Sequence, residues 1–170
     1  LVLENRQLRQ MQAAGDAAGG QLIGDSAVVT HLRETALRVA EAGVDVLITG
    51  AGGVGKEARA RLLHRAGPRR ARALVQVTCA AINEDRFDAD FLGGEGTRAA
   101  RRPGRLERAH RGTLFLDGIE ALSPALQARF LTLIESRELW PPGAEAARPL
   151  DMQVIATTRA DLAERVRDGA

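Results

Sequence analysis

Apolar residues in this chain fall into short continuous runs, separated by stretches of polar and small residues. The runs predict strands at residues 44–49, 73–79, 113–117 and 152–157. A strand that is apolar at consecutive positions is typical of a sheet covered on both faces. The pattern therefore predicts about four strands of a mostly parallel sheet inside an α/β domain.

Apolar residues recur at helical spacing between these runs, which indicates a doubly wound sheet with helices on both faces. Gly67 and Pro68 are predicted to end one helix, and Ser123 to cap another that has Pro124 in its first turn. Residues 93–104 are rich in Gly and Arg and are predicted to form a loop. Helices are predicted at 29–40, 58–66, 83–92, 124–134 and 161–167.

The start of the chain differs in composition from the rest. Residues 1–12 are polar and helix-forming, and residues 13–21 are small and linker-like. The first segment is predicted to be either a frayed terminal helix or a dimerising linker helix. We therefore divide the chain into a linker, residues 1–21, and one α/β domain, residues 22–170.

A glycine-rich loop between the first predicted strand and the next helix has the spacing G-x-x-x-x-G-K. In that arrangement backbone N–H groups surround a phosphate and the lysine adds a mobile positive charge. Lys56 is the only lysine in the chain, which favours a chemical requirement at this position. The alternative is a glycine-rich turn without a ligand. The candidate nucleotide-binding residues are Gly50, Ala51, Gly52, Gly53, Val54, Gly55, Lys56 and Glu57.

An acidic residue at the end of an apolar strand is the usual Mg²⁺ partner of a phosphate loop. Asp117 has this position after the run Thr113–Leu116. The alternative is an aspartate that caps the next turn. Together with the glycine-rich loop, the pattern favours Asp117 as a Mg²⁺ ligand and predicts ATP and Mg²⁺ as cofactors.

Length, apolar runs, cysteine content and net charge limit the classes of protein to which this chain can belong. A length of 170 residues suits one domain with a real core, and no apolar run reaches membrane-spanning length. The single cysteine, Cys79, is expected to be a buried small residue and fits a cytoplasmic protein. The net charge of +2 does not by itself imply nucleic acid.

Six motifs occur in an order that resembles one known family. The chain is similar to the AAA+ sigma-54 interaction domain of NtrC-like bacterial enhancer-binding regulators, and within it to the DctD-type response regulators. The resemblance implies a P-loop NTPase fold with α/β/α layers, and ATP-dependent remodelling of sigma-54 RNA polymerase by a ring of subunits. The motifs are Leu22–Gly24, Val46–Glu57, Cys79–Ala81, Gly112–Asp117, Ala125–Gln127 and Val154–Thr157.

The resemblance also implies roles for individual residues and for neighbouring domains. Ile23 and Gly24 would lie near the adenine, Asp117 would hold Mg²⁺, and Arg159 would occupy a sensor position where the family has asparagine. A receiver domain would precede this domain and a DNA-binding domain would follow it, so DNA contact would come from outside the chain. No membrane partner is implied.

The chain departs from the family at several positions. Gly118 stands where the family has a glutamate that polarises the attacking water, and Thr78 stands where it has the asparagine that contacts that glutamate. Glu120 lies two residues on, but it matches another family position and is treated as a poor substitute. We therefore expect ATP binding with impaired hydrolysis.

The remaining departures concern partners and extent. The apolar sigma-54 contact loop is replaced by a shorter segment with Arg98, Arg101 and Arg102, which suits either a solvated loop or an acidic partner. The family's fifth strand, helical lid and arginine fingers would follow residue 170, so the strand before the phosphate loop is expected at a sheet edge. The alternative function is a non-hydrolysing nucleotide-sensing or protein-interaction module.

Overall fold

The structure, a computed structural model, describes residues 2–3, 38–53, 55–94 and 103–161. Its centre is a sheet of five parallel strands in the order β1-β2-β7-β4-β3. The four predicted strands are all present, within two residues of their predicted ends. The strands are β1 Val2–Leu3, β2 Val46–Thr49, β3 Leu74–Thr78, β4 Thr113–Asp117 and β7 Gln153–Thr158, and a separate antiparallel pair comprises β5 Glu138–Leu139 and β6 Arg148–Pro149.

The central strands are buried on both faces because successive side chains point to opposite sides of the sheet. In β4, Leu114 and Leu116 pack into one apolar cluster and Phe115 packs into a second. In β7, Val154 and Ile155 divide between the same two clusters. A core on each face gives the predicted three-layer α/β/α fold.

Within the described residues, three helices cover the sheet: α1 Lys56–Ala66, α2 Arg105–Ala109 and α3 Pro124–Ser136. Residues 38–42 are also helical. Gly67 ends α1, and the Ser123 hydroxyl accepts a hydrogen bond from the Leu126 N–H at 3.3 Å at the start of α3. The predicted end of α1 and the predicted cap of α3 are therefore confirmed.

The predicted helix at 83–92 is two shorter elements, a 3₁₀ turn at Glu84–Arg86 and a π-helical turn at Asp88–Leu92. This segment brings three aromatic rings together. Phe87 stacks on Phe91 with ring centroids 4.6 Å apart, and both meet the edge of Phe130 at 5.3 and 5.4 Å. The cluster fixes the segment against α3.

Two expectations are wrong: that residues 2 and 3 are helical, and that the strand before the phosphate loop is the edge of the sheet. Val2–Leu3 is a strand rather than part of a helix, and it pairs in parallel with β2 at Leu47 and Ile48. The strand before the phosphate loop is therefore not the edge of the sheet. Its backbone N–H and C=O groups would otherwise be left unpaired, which explains why a short apolar segment adds to it.

Other predictions are corrected or lie outside the described residues. Arg105–Ala109 is a helix that the pattern did not indicate. The predicted helix at 161–167 lies outside the described residues beyond Asp161. In the part of the chain that the structure describes, no helix is long and apolar enough to cross a bilayer.

Candidate phosphate-binding site

The glycine-rich loop joins the end of β2 to the start of α1. Gly53 and Gly55 have φ values of 75° and 72°, which L-residues rarely adopt. A Cβ at either position would meet no atom within 4 Å, so backbone conformation rather than space explains the two glycines. The Gly50 N–H donates to the Thr158 carbonyl at 3.1 Å, which ties the loop to β7.

The Lys56 ammonium is folded back onto this loop. Its Nζ donates to the carbonyl oxygens of Gly50 at 2.9 Å and Ala51 at 2.8 Å. Burial lowers the pKa of Lys56, while the carboxylates of Glu120 and Asp117 act in the opposite direction. The ammonium therefore faces two acidic side chains, and a phosphate could replace the two carbonyls as its partner.

Asp117 ends β4 next to this loop because β2, β7 and β4 are neighbours and their carboxyl ends meet at one edge of the sheet. The buried Thr157 hydroxyl donates to Asp117 Oδ1 at 2.6 Å. The Gly118 N–H donates to both the carbonyl and the hydroxyl oxygen of Thr157, at 3.1 and 3.0 Å. Thr157 thus fixes the Asp117 carboxylate and the backbone that follows it.

The donor set fits a Mg²⁺ ion that arrives with a phosphate ligand. Asp117 offers one oriented carboxylate, and Mg²⁺ is commonly held by one or two carboxylates together with phosphate oxygens and water. Glu57 is paired instead with Arg61 of the same helix at 2.9 Å. No group of three or more His, Cys, Asp and Glu side chains suited to a metal occurs in the described residues, so Asp117 would act with the ligand and not within a protein cage.

Glu120 and Arg159 form an ion pair beside the same loop. Arg159 Nε donates to Glu120 Oε1 at 3.0 Å, and the Arg159 and Glu120 side chains are 68% and 14% exposed. A Cβ at Gly52 would lie 3.8 Å from Arg159 Cδ, and a Cβ at Gly118 would lie 3.9 Å from Glu120 Oε1. The pair therefore lies between the phosphate loop and the end of β4.

The electrostatics keep Glu120 ionised. Burial acts to raise the pKa of Glu120, but hydrogen bonds from Arg159 and from backbone N–H groups lower it below the usual value. The Thr158 hydroxyl contributes in the same direction, although no donor reaches Oε2 within hydrogen-bond distance. Glu120 thus has one oxygen held by Arg159 and one buried oxygen without a partner among the described residues.

Thr78 and Cys79 border the site at the end of β3. Thr78 pairs in register with Asp117, so this departure from the family lies next to the candidate metal ligand. Cys79 is buried as predicted. Burial, with a smaller effect from the negative charges of Asp117 and Glu120, raises the pKa of its thiol to about 12. A thiol with that pKa is a packing group and not a nucleophile at neutral pH.

Some predicted site residues fall outside the part that the structure describes. These are Ile23, Gly24 and Val54, together with the arginine-rich loop at 95–102. The described loop residues, Asp117 and Arg159 lie at the carboxyl ends of the neighbouring strands β2, β4 and β7.

Sequence reasoning missed two residues of the site, Thr157 and Glu120. Thr157 lies inside an apolar strand, where a threonine gives no sign that its hydroxyl will meet a carboxylate 40 residues earlier. Glu120 was set aside because of its place in the motif. Its charge on a short turn directly after Asp117 was the only available signal.

The sequence profile of the family described as "Sigma-54 interaction domain" matches residues 22–170. The C4-dicarboxylate transport transcriptional regulatory protein DctD of Rhizobium meliloti (strain 1021) is 41% identical over 173 residues, which cover 99% of this chain and 37% of that protein. The transcriptional regulatory protein ZraR of Salmonella typhimurium (strain LT2) is 41% identical over 160 residues, covering 92% of this chain and 36% of that protein. The chain thus spans about a third of the length of these curated relatives.

Solved structures of other proteins have a similar fold. NtrX from Brucella abortus superposes with a TM-score of 0.74 at 30% identity, covering 86% of this chain and 34% of that chain. The same protein in complex with ATP superposes with a TM-score of 0.73 at 29% identity, over 88% of this chain and 33% of that chain.

Proposed function

We propose that this chain, which belongs to the Sigma-54 interaction domain family, is the ATP-binding part of a bacterial transcriptional regulator. The match over residues 22–170 confirms the resemblance drawn from the motifs, and with it the P-loop NTPase fold. The observation that carries the proposal is the position of Lys56, whose ammonium lies on loop carbonyls and faces Asp117 and Glu120. The complex of NtrX with ATP supports the same assignment.

Each part of the site has a separate task in this proposal. The loop Gly50–Glu57 surrounds the phosphates with backbone N–H groups, and Lys56 exchanges its carbonyl partners for phosphate oxygens. Asp117, held by Thr157, binds the Mg²⁺ that accompanies ATP, and the ion supplies charge neutralisation on the phosphates. Arg159 would take the sensor role, and its Cδ lies 3.8 Å from the Cβ position of Gly52 in the loop.

We propose that hydrolysis is slow. Gly118 has no side chain to orient water, and the loss of such a group commonly lowers the rate by about 10²- to 10⁴-fold. A non-hydrolysing nucleotide-sensing or protein-interaction module is the second candidate, and Gly118 is the observation that favours it. Both candidates require the phosphate loop to bind nucleotide.

The partners are proposed from the family. Sigma-54 RNA polymerase and other copies of the chain in a ring would be the direct partners, and DNA would be bound through another domain. The relatives are transcriptional regulators, which supports a cytoplasmic location and a place in a two-component response regulator.

Calorimetric titration of the chain with ATP and Mg²⁺ tests the shared premise. Lys56→Ala removes a charge-assisted contact of about 1.5–3 kcal/mol, so ATP affinity should fall by roughly 10- to 100-fold. Arg65→Ala is the matched control, because Arg65 is an exposed cation on the same helix. No binding at millimolar ATP, or equal losses in the two variants, would contradict nucleotide binding at this loop.

A further inference from the structure

We propose that a basic face, at the edge of the sheet opposite to the phosphate loop, binds the sugar–phosphate backbone of double-stranded DNA. The basic face consists of the last turn of α1, the loop that joins it to β3, and the end of α2 with the turn that follows. Contact through this face does not depend on base sequence, and it adds to the DNA contact proposed for another domain. The exposed cations of the basic face are Arg65, Arg70, Arg72, Arg108 and Arg111.

The parallel strands place the basic face and the phosphate site at opposite ends of the sheet. Both segments of the face precede strands, since residues 67–73 lead into β3 and residues 110–112 lead into β4. Gly50 follows the carboxyl end of β2, and Asp117 is the last residue of β4. A strand of five residues spans about 13 Å, so an anion bound at one edge leaves the other edge open.

Hydrogen bonds hold the two segments of the basic face side by side. The Thr113 N–H, directly after the second segment, donates to the Ala73 carbonyl at 2.9 Å. The Arg69 guanidinium donates to the Asp151 carboxylate at 2.6 Å, and the Asp151 carbonyl accepts from the Arg111 N–H at 2.5 Å. The two segments therefore present their arginines from one fixed region of backbone.

The positive charge of the basic face is not neutralised within the described residues. Residues 65–73 and 108–112 contain six arginines and no acidic residue. Arg69 is paired with Asp151, whereas the other five are exposed and form no ion pair or side-chain hydrogen bond with a described residue. The adjoining groove differs, because its Arg137 is paired with Asp45. An unbalanced cluster of guanidinium groups creates a positive potential that attracts polyanions.

Arg111 occupies a backbone position that favours glycine. Its φ is 62°, in the left-handed region, and its side chain is exposed. Arg137 also has a positive φ, but its guanidinium donates to the Met152 carbonyl at 2.8 Å and to Asp45, and these contacts account for an arginine there. The Arg111 guanidinium has no such partner among the described residues. An unfavourable conformation without an internal contact indicates that this side chain acts on a ligand.

The composition of the basic face fits DNA better than a protein partner. Cores of protein–protein interfaces are apolar and depleted in charge, whereas protein–DNA interfaces are polar and strongly positive. Exposed large apolar side chains in the described residues are Val44, Leu131 and Trp140, and none lies in either segment of the face. Guanidinium groups suit phosphate oxygens because they can donate two parallel hydrogen bonds. The choice of duplex DNA over RNA rests on the proposed place of this chain in a transcriptional regulator.

Fluorescence anisotropy of a labelled duplex of about 20 base pairs, titrated with the chain between about 50 and 200 mM salt, tests the proposal. Five arginines that each neutralise one phosphate give a slope of about −4 to −5 in log K against log salt. Arg70→Glu should weaken binding at least about tenfold and reduce the magnitude of this slope by about 1. Arg86→Glu is the matched control, because it makes the same change in net charge at a 71% exposed side chain after β3, and it should alter neither quantity.

Two further variants separate DNA contact from folding and from the phosphate loop. Arg111→Gly should weaken DNA binding without lowering the free energy of unfolding, because glycine adopts the observed φ readily. A residue with only a structural role would show the reverse. Lys56→Ala should leave DNA affinity unchanged, because the phosphate loop lies at the opposite edge of the sheet.

Four results would overturn the assignment. Equal losses from Arg70→Glu and Arg86→Glu would mean that only net charge matters. A loss from Lys56→Ala as large as that from Arg70→Glu would place the DNA at the phosphate loop. A poly-glutamate peptide that competes as well as the duplex at equal charge would assign the basic face to an acidic protein. No binding of the duplex at about 50 mM salt, by a chain that binds ATP, would refute the DNA contact and leave the proposed function intact.

Discussion

Replacing Thr157 with valine tests how the candidate metal ligand is positioned. The substitution removes one hydroxyl from β7 and keeps the shape of the side chain. Thr157 is fully buried, and its hydroxyl donates to Asp117 Oδ1 at 2.6 Å while accepting from the Gly118 N–H at 3.0 Å. The change therefore isolates two hydrogen bonds at the end of β4.

The two bonds are unequal in their expected cost. The Gly118 N–H keeps a second acceptor, the Thr157 carbonyl at 3.1 Å, so losing its bond to the hydroxyl should cost little stability. The bond to the Asp117 carboxylate is charge-assisted, and bonds of this class contribute about 1.5–3 kcal/mol. Asp117 is only partly buried, so water can replace part of this contact. We therefore expect Thr157→Val to lower the free energy of unfolding by about 1.5 kcal/mol.

Urea unfolding with linear extrapolation measures this loss, and Thr157→Ser, which keeps the hydroxyl, is the control. Affinity for ATP with Mg²⁺ should fall in the valine variant, because the carboxylate is no longer oriented, whereas affinity for ADP without Mg²⁺ should not change. A valine variant that loses no stability and keeps its affinity for ATP with Mg²⁺ would show that the hydroxyl does not hold the Asp117 carboxylate. The reasoning would then be refuted.

Four further predictions concern stability and reactivity. Phe130→Ala should cost about 3–5 kcal/mol in urea unfolding, because it removes one ring from a buried three-ring cluster. Gly104→Ala should cost about 3 kcal/mol by the same assay, because its Cβ would lie 2.2 Å from the Phe91 carbonyl oxygen. Because the folded pKa of Glu120 lies below its ordinary 4.5, its carboxylate contributes stability above about pH 4.5. Glu120→Gln should therefore have a lower unfolding free energy than the unmodified chain in that range, and the difference should shrink as the pH falls through the lowered folded pKa. Cys79 should react with iodoacetamide at pH 8 far more slowly in the folded chain than in urea, because burial raises its pKa to about 12.

Most of the sheet could be predicted because parallel strands buried on both faces leave a local signal. The run at 113–117 has three successive apolar residues before Asp117, and the observed strand has the same bounds. The phosphate loop could be predicted equally well, because its glycines adopt backbone conformations that other residues disfavour. In both cases the decisive interactions lie within a few residues.

The missed features depend on partners distant in the sequence. Val2–Leu3 became a strand because β2 offered an unpaired edge more than 40 residues away, and two residues are too few to show strand periodicity. Arg105–Ala109 directly follows a glycine- and arginine-rich segment that resembles a loop in composition. The contact of Thr157 with Asp117 is a property of strand order, which no local pattern contains.

Gly118 connects the departure from the family to the position of Glu120. A glutamate at 118 could adopt the observed φ of 76° only with strain of about 1–2 kcal/mol. The absence of an acidic side chain at 118 and the sharp turn that returns Glu120 to the site are therefore two aspects of one backbone conformation. A Gly118→Glu variant that relieves the strain must open this turn and change the position of Glu120. The effects of substitutions at 118 and 120 should consequently be non-additive, as expected for two residues on one tight turn.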